Sequence, residues 1–66
     1  MSELGTTTDS AIKYAMDSAR RRERTIRVWR MGDKVGASVH APDGAKLIGR
    51  AVWHEECLCV RWEPAF

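Results

Sequence analysis

The hydrophobic periodicity of the chain changes once, near Thr25, and that change limits what it can fold into. Before it, Ile12, Ala15, Met16 and Ala19 recur at helical spacing, with Lys13, Asp17, Arg20, Arg21 and Arg24 on the opposite face. Thr8, Asp9 or Ser10 can cap such a helix, because each side-chain oxygen accepts from a backbone N–H that has no partner in the first turn. Asp17 stands four residues before Arg21, the spacing of an intrahelical ion pair. A helix over 9–24 is therefore expected. After Thr25 the residues are β-branched and aromatic and alternate, with Ile26 and Val28 facing one way and Arg27, Trp29 and Met31 the other. Gly32-Asp33 and Pro42-Asp43-Gly44 are turn signals, and they separate this strand from a second run at Val35, Ala37 and Val39 and a third from Lys46 to Trp53. A fourth strand, Cys57 to Trp62, follows the polar His54-Glu55-Glu56 connection.

A chain of 66 residues buries only about 60% of the surface its unfolded form exposes, so it has room for a single core. The expected fold class is α+β in one domain: a short polar leader at 1–7, the helix, and a four-stranded antiparallel meander over 25–62. Gly36 and Gly49 inside strands mark bends or close backbone approach, the means by which a small sheet curls. Trp53 and Trp62 are expected in the core, Trp53 on a face with Leu47 and Ala51 and Trp62 on a face with Leu58 and Val60. Trp29 is expected at the surface. Cys57 and Cys59 point to one face of a strand without linking distant segments, so a disulfide framework is not expected. No signal-peptide core and no apolar run of about 18 residues can be drawn, which reads as a soluble, cytoplasmic protein that does not enter a membrane.

Three segments carry a resemblance. Met31-Gly32-Asp33-Lys34-Val35, Gly49-Arg50-Ala51-Val52-Trp53 and Val60-Arg61-Trp62 resemble the Gly-Asp-x-Val opening, Gly-x-x-Val strand and Val-x-Trp-like strand of the small SH3-like β-barrels. The resemblance covers about half the chain, from Met31 to Trp62. It departs from the pattern in its preceding helix and in a strand from Ile26 that runs straight into the Gly-Asp turn. It implies a binding scaffold of the kind used for nucleic acids, peptides and oligomer contacts, and it carries over no catalytic residue.

The formal charge is +2, and all of the excess lies between Arg20 and Lys34. Guanidinium groups bind phosphates through paired donors, and Arg20, Arg21, Arg24, Arg27 and Arg30 with Lys34 are expected to form a strip from the helix end onto the first strand. Trp29, on the strand face of Arg27, adds a base-stacking surface, and with Met31 it makes an apolar patch rimmed by arginines. Against this, helix C-termini favour cations, and Asp17 and Glu23 can absorb two of them. The leading expectation is a small non-enzymatic binding or regulatory protein that engages nucleic acid or a nucleic-acid-handling complex, and its compact size and lack of a catalytic motif suit a phage or mobile-element accessory protein. A protein-binding inhibitor or adaptor would set the same residues against an acidic host surface, and a homodimer would use the same apolar patch. A third reading is a small oligomeric enzyme with a cavity on a symmetry axis. His40, His54, Cys57 and Cys59 have the wrong spacing for a zinc knuckle, so no metal and no cofactor is expected. Nothing in the sequence supplies an oxyanion hole, a phosphate loop or a substrate cavity, so catalysis is not expected.

Overall fold

The computed structural model describes residues 8–65, and the expected leader at 1–7 lies outside them. One helix, α1 (Thr8–Arg22), precedes four strands: β1 (Ile26–Met31), β2 (Lys34–Ser38), β3 (Lys46–His54) and β4 (Cys59–Pro64). The α+β class holds, with one helix on one four-stranded antiparallel sheet. No helix among the described residues is long and apolar enough to cross a membrane.

The helix seats its small residues on the sheet. Ala11, Ala15, Ser18 and Ala19 are buried, and they form a core with Ile26, Val28 and Ala51. Ile12 and Met16, expected on the same apolar face as Ala15 and Ala19, are half-buried. Large side chains there would hold the helix away from the strands, whereas alanines let the backbones approach. The helix ends in a Schellman motif: Glu23 adopts a left-handed conformation, φ 54°, and Arg24 N–H donates to Ala19 O at 3.1 Å. The left-handed Glu23 ends the helix at Arg22, short of the expected Arg24, at a cost of about 1–2 kcal/mol for a non-glycine residue.

The strand order is β2-β1-β3-β4, where a meander would place the strands consecutively. β1 is central, pairing with β2 through the two-residue Gly32-Asp33 turn and with β3 on its other edge. Gly32 has φ 65°, the positive value required at the first central position of a type II′ hairpin turn. Residues 39–45 must therefore pass β1 to start β3, and two β1 side chains hold the beginning of that passage. Arg27 Nη1 donates to Val39 O at 2.6 Å, and Trp29 Nε1 donates to Ser38 Oγ at 3.0 Å. Ser38 Oγ in turn donates to His40 O at 2.6 Å. The turn at Pro42-Asp43-Gly44 closes with Ala45 N–H donating to Pro42 O at 3.2 Å.

A register shift between Val28 and Trp29 puts Leu47 opposite Trp29, so Leu47 faces away from the helix and not, as expected, with Ala51 and Trp53. Just past it, Gly49 leaves room for the Trp62 ring. A Cβ at Gly49 would overlap that ring and come within 2.8 Å of Glu63 O. The fourth strand starts at Cys59, two residues later than expected. Leu58 stands in the β3–β4 turn with φ 52° and is 64% exposed, so it does not join Trp62 and Val60 in the core.

Two substitutions test this packing. Glu23→Gly is expected to raise stability by about 0.5–1 kcal/mol by relieving the left-handed residue. Gly49→Ala is expected to lower it by about 1–3 kcal/mol, because both the Trp62 ring and the β4 backbone would have to move. Denaturant midpoints measured at constant m-value read both effects.

Candidate polyanion-binding surface

The end of the molecule where α1 stops and β1 starts collects most of the basic segment. Arg20, Arg21 and Arg22 fill the last turn of α1, and Arg24 follows in the Schellman loop; all four are exposed. Arg21 Nη2 donates to Asp17 Oδ2 at 2.7 Å, the pair expected from the sequence, with both side chains largely in solvent. Arg20, Arg22 and Arg24 have no carboxylate partner among the described residues. They fan around the helix: Arg20 borders the groove toward β4, and Arg22 borders the cleft toward β2.

The sheet adds to this end from its open face. Arg27 and Arg50 are directly opposite each other across β1 and β3. Arg27 is half-buried and bound to Val39 O, and Arg50 Nη2 pairs with Glu63 Oε1 across β4 at 3.3 Å. Arg61, exposed on β4, is opposite Val52 on this same face. Arg50 and Arg61 are not part of the basic segment, and only the pairing of β1, β3 and β4 brings them beside it. The sequence signal was present in the alternation of both strands, but the strand order needed to use it was not.

The other members of the expected strip lie elsewhere. Four residues of strand separate Arg27 from Met31, a span of about 13 Å. Arg30 is opposite Lys46, and Met31 is opposite Lys34, so these cations group at the β1–β2 hairpin. The strip is thus divided: Arg20, Arg21, Arg24 and Arg27 at one end, Arg30 and Lys34 at the other. Trp29 lies between the two and is half-buried rather than displayed. Its ring covers the position a Cβ would take at Gly36, and its N–H is used by Ser38. Met31 and Leu47, 40% and 38% exposed, lie on the same sheet face as Trp29 and make the hairpin end a small apolar patch rimmed by Arg30, Lys34 and Lys46.

Of the residues weighed as metal ligands, His54, Cys57 and Cys59 are at the β3–β4 hairpin. His54 is opposite Cys59, whose sulfur is joined to that of Cys57, and His40 is exposed in the β2–β3 connection. Compared with known protein families, curated proteins and solved structures, the chain matches none.

The two kinds of arginine can be told apart by stability. Arg27→Met is expected to cost about 1.5–3 kcal/mol, because it removes a hydrogen bond from a charged donor and leaves Val39 O without it. Arg22→Met is expected to stay within about 0.5 kcal/mol of the parent. Equal losses in chemical denaturation would show that Arg22 also holds the fold.

Proposed function

We propose that the chain is a small non-enzymatic binding protein whose arginine-rich end, at the junction of α1 and β1, engages nucleic acid in the cytoplasm. The observation that supports this reading is the uncompensated charge of that end. Arg20, Arg21, Arg22 and Arg24 crowd one helix terminus against Asp17, Glu23 and the helix dipole, whose negative end is worth about half an elementary charge. Roughly one and a half positive charges are left over before Arg27 is added. Folding alone has no use for that surplus, and a phosphate backbone would neutralise it.

Exposed guanidinium groups suit this ligand. They present planar pairs of donors to phosphate oxygens. Binding of this kind is electrostatic and tolerant of sequence, which suits an accessory or regulatory protein better than a sequence-specific reader.

A second reading is favoured by the hairpin patch. Met31 and Leu47, with Lys34 and Lys46 around them, have the composition of a small interface centre, and an acidic protein surface or a second copy of this chain is the partner they suit. It uses the end of the molecule that the first reading leaves free.

Fluorescence anisotropy with short single- and double-stranded oligonucleotides tests the proposal. Affinity is expected to fall steeply with salt, with a log–log slope near minus three to minus four for single or double strands if about four phosphates are contacted. Arg24→Glu is expected to weaken binding by tenfold or more without changing the fold, and Lys34→Glu by much less. An absence of binding at low salt, or equal losses in both variants, would reject the arginine-rich end as the site.

A further inference from the structure

The geometry points to a second activity at the β3–β4 hairpin: Cys57 and Cys59 form a reversible dithiol–disulfide centre that exchanges with low-molecular-weight thiols. Their sulfurs are bonded across a single intervening residue, and their Cα atoms are 5.2 Å apart, within the ordinary range for a disulfide. Leu58, between them, has φ 52°, and this left-handed residue contracts the chain enough for the two side chains to meet. The turn is thus shaped for closure, at the cost of holding a leucine in a conformation leucine disfavours and 64% in solvent.

A bridge over one residue has little structural use. Disulfides stabilise by closing loops in the unfolded chain, and the shorter the loop the smaller the effect. This one also links neighbours that β3–β4 pairing already holds together, since His54 and Cys59 are partners in the ladder. Chemistry is the better explanation, because exposed bridges are the ones that exchange. Cys57 is exposed and Cys59 half-buried, so the two sulfurs have distinct roles. A second observation lies next to them. His54 Nε2 is buried without a hydrogen-bond partner, on the residue directly opposite Cys59. A thiol or thiolate freed at Cys59 would give that nitrogen the polar neighbour it lacks when the bridge is closed.

The exchange runs in two steps. An incoming thiolate attacks Cys57 Sγ, forming a mixed disulfide as the bond between the two protein sulfurs breaks and its electron pair passes to Cys59 Sγ. A second thiolate attacks the small-molecule sulfur of that mixed disulfide, so that the small-molecule disulfide forms and Cys57 leaves as a thiolate. Two protons from the two thiols end on the protein cysteines. The protein disulfide is reduced by two electrons and the thiol pair is oxidised by two. Cys57 is reached directly from solvent, and the groove of about 560 Å³ beside Leu58 and Cys59, walled by Ile12, Met16 and Val60 with Lys13, Asp17 and Arg20 at its edge, has room for the rest of the thiol compound.

Glutathione is the probe. The full chain is equilibrated without oxygen in graded mixtures of glutathione and its disulfide, quenched with N-ethylmaleimide, and weighed by mass spectrometry. The expected result is one two-electron transition, from an unmodified disulfide form to a form carrying two maleimides, within the range that glutathione mixtures cover. In Cys59→Ser, Cys57 is expected to accumulate a glutathione adduct. A parent chain that keeps its bridge in excess glutathione, or that keeps both thiols free in excess glutathione disulfide, would overturn the assignment. So would Cys57 in that variant remaining unmodified in glutathione disulfide.

Discussion

The seat of α1 on the sheet governs the rest of this structure. Ala15 and Ala19 have no exposed surface and Ala11 almost none, and beneath them lie Val28, Ile26 and Ala51. Val28 is the largest side chain buried completely, so the core is thin and its closeness comes from what the helix lacks. In so small a chain, close packing of small residues has to do what a larger core does by area alone. The larger groups sit around the rim: Met16, Ile48, Val60 and Trp62 pack against this centre while half-exposed. The seat also fixes where the helix ends. The Schellman turn at Glu23 delivers Arg24 and then β1, so the arginines of the last helical turn and those of the sheet meet at one end because of how the alanines pack.

The elements were legible in the sequence and their arrangement was only partly so. Helical spacing, the Asp17–Arg21 pair and the Gly32-Asp33 and Pro42-Asp43-Gly44 turns all follow from contacts within a few residues, and all are present. The strand order is different in kind. It depends on Arg27 and Trp29 reaching across to Val39 and Ser38, nine to twelve residues away, and alternation says nothing about which neighbour a strand will choose. The same two residues were read as ligand-binding groups, and each carries a structural bond that a pattern of charge and aromaticity does not reveal. Leu58 illustrates the opposite limit. Its parity with Val60 and Trp62 placed it in the core, but the closure of the turn between Cys57 and Cys59 holds it outside.

The candidate site was legible as composition and not as shape. Counting charges identifies the segment between Arg20 and Lys34, and the arginines at the helix end are exposed. What counting cannot supply is the distance along β1, which sends Arg30 and Lys34 to the far hairpin, or the register that brings Arg50 opposite Arg27. Beside the cationic end, the molecule has a small apolar patch at the far β1–β2 hairpin and a pair of bonded cysteines at the β3–β4 hairpin, where Arg20 and Cys59 border one groove.

The most direct measurement is an amide NMR titration of the isotopically labelled chain with a short oligonucleotide, following every backbone resonance at once. Shifts are expected to concentrate from Arg20 through Arg27 and at Arg50 and Arg61, with little change from Arg30 to Lys34. Shifts centred on the β1–β2 hairpin, or spread evenly over the surface, would contradict a binding end built by the seating of α1.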